Sequence, residues 1–255
     1  MKKLSKPLII IISLFILLYP AWLYRDANAL VIMGGYYGGA VAPDCSEYFP
    51  AGDNGDVAGN SNFDAETDVN TKLSIASNEM VFDAGTSSQV GYVIETSCVA
   101  DSDLEYTIKF TIEADDILDV DDGTSYMQIL TIRSDGTEEQ AYVRIKCVDG
   151  DITTYTSTLN YDGGAIDGNV VTMTGLAADT SYQCYAYFKK NATTGEFSFK
   201  IGAWAESTSG AQDNDGKEGG GTIRLGGIDH YWGDGATDTF LKFDNFEVYK
   251  SDQMP

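Results

Sequence analysis

The chain has 255 residues, 43% hydrophobic and 12% aromatic, enough for one large domain with a real core and short of two comfortable ones. Sixteen basic residues stand against thirty-nine acidic ones, a net charge of −23. So acidic a surface repels phosphate backbones and anionic membranes, which excludes nucleic acid as an expected partner, and it keeps an exported protein in solution.

At the start, Lys2, Lys3 and Lys6 precede an apolar run from Leu8 to Leu18, followed by Pro20 and the small-residue pattern Ala27-Asn28-Ala29. This is the three-part layout of a secretory signal over residues 1–29, with cleavage after Ala29. The alternative is an uncleaved anchor, because Leu8 to Tyr24 is apolar for about the 17 residues that mark the lower limit for spanning a bilayer. Either way the remainder is expected to be secreted or on the cell surface, with no membrane insertion once the leader is removed. All four cysteines, Cys45, Cys98, Cys147 and Cys184, fall in that exported part, where disulfides are favoured. None forms a C-x-x-C pair, so a zinc ribbon or a redox motif has little support. Of the three possible pairings, Cys45 with Cys98 and Cys147 with Cys184 is the one expected here.

Residues 30–73 are rich in Gly, Asn and Asp without sustained periodicity and read as an irregular segment tied down at Cys45. From Ser74 onward, short alternations of apolar and polar residues are separated by Gly, Asp and Asn turns, and no stretch has a helical period. Tyr106, Ile108, Phe110 and Ile112 share one face, with Thr107, Lys109, Thr111 and Glu113 on the other, the pattern of a half-buried strand. Tyr126 to Arg133 and Gln140 to Val148 read as a hairpin closed by Asp135-Gly136. Ser181 to Lys189 and Glu196 to Trp204 form a second pair. In Thr239 to Lys250 the apolar parity slips by one around Asp244-Asn245, and a bulge there would turn Leu241, Phe243, Phe246 and Val248 all inward. The expected fold is all-β, a two-sheet antiparallel β-sandwich of ten to twelve strands over residues 74–251.

The closing run Phe240-Leu241-Lys242-Phe243-Asp244-Asn245-Phe246-Glu247-Val248-Tyr249 resembles the last strand of concanavalin A-like lectin/glucanase and laminin G-like domains. Thr194-Gly195-Glu196-Phe197-Ser198-Phe199-Lys200 is similar to an element that precedes it in those domains. The resemblance implies a jelly roll and a bias toward glycans, without implying an activity. Glucanases of this fold carry E-x-D-x-E or E-x-D-x-x-E along one strand. Here Glu113-Ala114-Asp115-Asp116-Ile117-Leu118 supplies two carboxylates and lacks the third, so no residue is assigned a catalytic role.

Carbohydrate binding needs aromatic faces for sugar rings and nearby polar groups for hydroxyls. Asp229, His230, Tyr231 and Trp232 have that composition in one loop, Trp204 takes the outward parity of its strand, and Tyr185 and Tyr187 lie opposite the apolar parity of theirs. The rival reading places these aromatics under loops or in a second core layer. A lone histidine such as His230 is also incidental in most chains. Calcium is the cofactor considered, through Asp119, Asp121 and Asp122 before Gly123, or through Asp213-Asn214-Asp215-Gly216, where several oxygens surround a tight turn. Neither loop completes a known calcium spacing. The sequence thus points to a secreted, non-catalytic glycan-binding module. A structural or adhesive envelope or matrix protein, or a glycan hydrolase or lyase with a degenerate motif, stands as the alternative.

Overall fold

Period-two alternation over most of the chain dictates strands with one buried face, and a computed structural model shows these strands as two stacked sheets. The structure describes residues 41–47, 49, 57, 63–68, 72–83, 90–100, 102–114, 126–134, 138–148, 151–159, 165–167, 171–173, 177, 179–190, 194–213, 221–231 and 240–255. Among them there is no helix. The strands are β1 (Cys45–Glu47), β2 (Ala65–Asp68), β3 (Leu73–Ala76), β4 (Glu79–Asp83), β5 (Gly91–Glu95) and β6 (Glu105–Ala114). They continue with β7 (Tyr126–Ser134), β8 (Glu138–Val148), β9 (Asp151–Leu159), β10 (Ala165–Asp167) and β11 (Val171–Met173). The last five are β12 (Tyr182–Lys190), β13 (Thr194–Ile201), β14 (Ser207–Asp213), β15 (Thr222–Tyr231) and β16 (Phe240–Tyr249).

Sheet A runs β14-β13-β12-β6-β16-β4-β3, with β1 pairing the far half of β16; sheet B runs β10-β9-β8-β7-β15-β5-β2, with β11 on β9. Every pairing is antiparallel, so the expected two-sheet antiparallel sandwich is the fold. Both hairpins anticipated from the pattern are present, as β7–β8 and β12–β13.

Inward-facing side chains of the two sheets form one apolar cluster, from Ile108, Phe110, Phe188, Phe199 and Phe243 on sheet A to Val93, Ile132, Val143 and Leu225 on sheet B. Phe110 sits between the rings of Phe199 and Phe243, each with its centroid 6.2 Å away. At β16 the ladder shifts register between Asp244 and Glu247, and Asn245 takes φ 53°. That bulge is the one the parity slip called for, and Leu241, Phe243, Phe246 and Val248 are all fully buried. A second shift interrupts β15 between Leu225 and Asp229, where Gly226 has φ 129°. A Cβ on the adjoining Gly227 would lie 2.2 Å from the Phe82 ring of sheet A, so only glycine lets the sheets approach this closely here.

The described residues of the stretch read as irregular are more ordered than its composition suggests. Residues 30–73 include β1 and β2, and Phe49, Val57 and Phe63 are buried in the core, with Phe63 5.4 Å from Phe49 and 5.2 Å from Phe246. Strands of three or four residues with sequences such as Ala-Glu-Thr-Asp carry too few positions for a period to show. Cys45 and Cys98 form the expected disulfide, linking β1 of sheet A to the turn after β5 of sheet B. The second expected bond is corrected: Cys184 is a free thiol, fully buried on the core face of β12, so it is not joined to Cys147 of β8. Burial pushes that thiol well above its ordinary pKa, which keeps it protonated and inert.

Candidate functional site

An antiparallel sandwich leaves two outer faces on which a ligand can rest, and the alternation that fills the core decides which side chains point there. On sheet A the outer face is built from β6, β12 and β16. Lys109 pairs with Glu247 at 3.1 Å and lies over the rings of Tyr249, at 4.9 Å, and Tyr185, at 5.7 Å. Tyr249 Oη donates to the same Glu247 carboxylate at 2.7 Å. Lys242 pairs with Glu113, the first carboxylate of the degenerate glucanase phrase, and that pairing commits Glu113 to a charge partner. Residues 251–255 lie along this face: Thr107 Oγ1 donates to the Ser251 carbonyl at 2.8 Å and accepts from the Gln253 N–H at 2.9 Å, and Lys200 Nζ donates to the Pro255 carbonyl at 3.5 Å.

The aromatics anticipated as ligand contacts fall in different surroundings. Tyr187 is only 7% exposed and its hydroxyl donates to Glu105 at 2.7 Å; burial first, and then Glu105, push its pKa up. Tyr185 is half-buried beside Lys109. Trp204 does not stand outward on a strand. β13 stops at Ile201, Gly202 turns at φ 51°, and the Trp204 ring folds back edge-on against Tyr182, centroids 5.3 Å apart, packed on the core. Asp229, His230 and Tyr231 are the last residues of β15, in register with Gln128, Met127 and Tyr126 of β7. They therefore belong to sheet B, away from Trp204 and Tyr185. Trp232 and the calcium candidates Asp119, Asp121 and Asp122 lie outside the described residues. Among the described residues, no group of three or more His, Cys, Asp or Glu is placed to hold a metal ion.

The outer face of sheet B holds a cluster that the pattern reading passed over. Tyr126, Gln128, Thr131 and Arg133 of β7 meet Glu139, Tyr142 and Arg144 of β8 on one side, by the pairs Tyr126–Lys146, Gln128–Arg144, Thr131–Tyr142 and Arg133–Glu139. On the other side Arg224 of β15 pairs with Thr131 and with Ile94 of β5, bringing Tyr92 alongside. Gln128, 3% exposed, sits at the centre. Its Nε2 donates to Thr131 Oγ1 at 2.8 Å and to Glu139 Oε2 at 2.9 Å, and its Oε1 accepts from Arg144 Nε at 3.2 Å. The Arg144 guanidinium lies 4.7 Å from the centroid of Tyr142 and 5.0 Å from that of Tyr126, and Arg224 lies 5.0 Å from that of Tyr92. Burial raises the Glu139 pKa, against the pull of Gln128 and of Arg133, Arg144 and Arg224. Burial, together with the nearby Arg133, lowers that of Arg224, opposed by Tyr92 and Glu139.

The local sequence explains the placement. In Thr131-Ile132-Arg133, Val143-Arg144-Ile145 and Ile223-Arg224-Leu225 each arginine takes the parity opposite to buried aliphatic neighbours. Outward arginines on strands ordinarily read as solvent-facing, and only the strand order β8-β7-β15 brings these three together. The signal available in the sequence is that the chain has four arginines, Arg25, Arg133, Arg144 and Arg224, and three of them share this strand parity. Chemically, the face combines apolar rings, a rigid amide and planar cations with several donors, a set suited to a hydroxyl-rich ligand with flat ring faces.

No protein-family model matches the chain, and no curated protein matches its sequence. Among solved structures it is similar to an alginate lyase from Pseudomonas aeruginosa (TM-score 0.49, 13% identity, 69% of this chain and 84% of that one) and to an alginate lyase from Alteromonas sp. 272 (TM-score 0.41, 12% identity, 64% and 79%). It is also similar to the botulinum neurotoxin serotype C1 binding domain (TM-score 0.46, 10% identity), matching 74% of this chain and 44% of that one. The chain thus spans less than half the length of that binding domain.

Proposed function

We propose that this protein is an extracellular, non-catalytic carbohydrate-binding β-sandwich of concanavalin A-like type, and that it takes a glycan on the outer face of sheet B. The observation that carries this reading is the array of Tyr92, Arg224, Tyr126, Gln128, Tyr142 and Arg144 across the adjacent strands β5, β15, β7 and β8, held by hydrogen bonds and cation–π contacts. Strands about 4.8 Å apart make such an array roughly 14 Å wide, room for more than one sugar ring. Tyr126, the least buried of the three rings, supplies a ring face at low entropic cost, Tyr92 and Tyr142 being 8% and 7% exposed, and Gln128 holds Arg144 in place beside it. The Cys45–Cys98 disulfide supports a place outside the cytosol.

The test is a glycan array with the purified protein and with Tyr126→Ala, Arg144→Ala and Trp204→Ala. Binding that is lost in the first two variants and kept in the third supports the reading. A blank array sinks it and favours a structural or adhesive role, and loss confined to Trp204→Ala moves the site away from sheet B.

A further inference from the structure

Strand β5 ends on a residue whose parity and charge conflict. Glu95 shares its parity with Gly91 and Val93, so it takes the core side of sheet B, where it is fully buried. Ile223 of β15 is its register partner on one side, and the adjoining Arg224 takes the outer parity. On the other side Ala65 pairs with Ile94, and one further step of that register sets Asp64 opposite Glu95. The neighbours of this carboxylate across the ladder are thus an aliphatic residue and a second carboxylate, and like charges directly opposite repel. Among the described residues, Asp64 is the charged group that acts on Glu95.

The donors around the two groups differ. Asp64 is exposed, and its Oδ2 accepts from the Thr96 N–H at 2.7 Å, from Thr96 Oγ1 at 2.8 Å and from the Ser97 N–H at 3.1 Å, the surroundings of an ionised carboxylate. Glu95 Oε1 accepts from the Ser97 N–H at 2.6 Å, from Ser97 Oγ at 2.7 Å and from the Cys98 N–H at 2.8 Å, whereas its buried Oε2 has no hydrogen-bond partner. An anion here would leave that oxygen's share of a buried charge uncompensated. A carboxylic acid suits the arrangement, with Oε1 as its carbonyl and Oε2 carrying the proton. Because one Ser97 N–H serves both residues, the two carboxyl groups are neighbours. Burial raises the Glu95 pKa above the ordinary 4.5 and Asp64 adds to the rise, against the pull of the Ser97 and Cys98 donors. For Asp64 burial also acts upward, but the Thr96 and Ser97 donors outweigh it and bring the pKa below 3.8.

From this geometry we infer that Asp64 and Glu95 hold one proton between them and form a pH-sensitive catch on the turn that carries Cys98, closed while Glu95 is a neutral acid and loosened once both carboxylates are charged. Closed, the catch gathers the N–H groups of Thr96, Ser97 and Cys98 and fastens them to the residue that leads into β2. As pH rises, Glu95 releases its proton to solvent and a buried anion faces Asp64 across the ladder. Its stabilisation is fully present below 4.5 and is lost as pH rises through the folded value. The same turn holds the cysteine that ties sheet B to Cys45 of sheet A, so the catch sets how firmly that tie is seated.

The experiment is an NMR titration of the full-length protein with isotope-labelled glutamate, from acidic to neutral pH, reading the Glu95 carboxyl carbon together with hydrogen exchange at the Ser97 and Cys98 amides. Glu95→Gln assigns the carboxyl signal. Glu95 is expected to titrate above 4.5, and protection of the two amides, referenced to the unfolded chain, to fall as it does. The fall should be about tenfold for each unit by which the folded pKa exceeds the ordinary one. Glu95→Gln keeps an acceptor for the three donors and cannot ionise, so its amides should stay protected over the same range. Asp64→Asn removes the like charge and should move the Glu95 titration to lower pH. Titration of Glu95 at its ordinary value, or protection that stays constant in the parent while Glu95 ionises, overturns the inference. So does an Asp64→Asn protein in which Glu95 titrates where it did before, because burial alone would then hold the proton.

Discussion

The two outer faces of the sandwich are built by the same alternation and come out chemically opposite. On sheet A, Lys109, Lys242 and Lys189 each meet a carboxylate, Tyr187 donates to Glu105, and residues 251–255 lie across the face. On sheet B, three guanidiniums gather around Glu139 and over tyrosine rings, with a nearly buried glutamine at the centre. One-for-one ion pairing on a surface is worth little and mostly preserves solubility and register. Concentrating like charges is different, because it costs stability and has to be offset by stacking, by hydrogen bonding or by a ligand. The comparison therefore sets a face of ion pairs on sheet A against a face of clustered guanidiniums and tyrosine rings on sheet B.

The comparison can be broken at the places where the sheets are joined. Cys45 and Cys98 tie sheet A to sheet B across a sequence separation of 53, and a loop of that size corresponds to about 4 kcal/mol in the chain-entropy picture. Replacing both with serine should lower the melting temperature by the largest margin of any change considered, read by calorimetry; an unchanged melting point would mean the bond adds nothing. Gly227→Ala should follow, at roughly 2–3 kcal/mol, because its Cβ meets the Phe82 ring at 2.2 Å and either β15 or Phe82 must move. Denaturant midpoints measure it, and loss of stability should come with loss of sheet B binding, since β15 carries Arg224.

Individual carboxylates respond to pH in opposite senses. Because the folded pKa of Glu139 lies above the ordinary 4.5, the native state binds its proton more tightly than the unfolded chain does, so this residue's contribution falls as pH rises from about 4.5 through the folded value. Glu139→Gln should therefore gain stability relative to the parent across that window, followed by denaturation at a series of pH values. A constant difference between the two proteins would remove the buried-carboxylate account. Asp64 and Asp103, whose folded values are lowered, act in the other sense: their stabilisation is present above 3.8 and is lost as pH falls through their folded values. Smallest of all should be Lys109→Met, within about 1 kcal/mol for an exposed-side ion pair. A larger loss would show that sheet A depends on its pairs more than one-for-one neutralisation implies.

Much of the fold is legible before any coordinates. The parity of Tyr106, Ile108, Phe110 and Ile112 predicts β6 and its core face, and the slip at Asp244-Asn245 predicts a bulge that the structure has at that point. Such features are local, since side-chain direction in a strand follows from position alone. The departures come from partners distant in sequence, from a turn beyond a strand end, and from strands too short to show a period. Cys147 and Cys184 lie on β8 and β12 of opposite sheets, and Cys184 is a free thiol buried in the core, so suitable parity alone does not make a pair. Trp204 takes the outward parity only if β13 is extended past the place where Gly202 turns the chain. β1 and β2 are too short to show a period.

For the candidate site the division is sharper. Alternation with buried aliphatic residues turns Arg133, Arg144 and Arg224 away from the core. That they are neighbours follows from strand order, because β15 is inserted beside β7 although about ninety residues separate them along the chain. Net charge is a sum over the chain and has no position. Side-chain contacts depend on position, so strand order gathers three guanidiniums on one face of a chain whose total charge is negative.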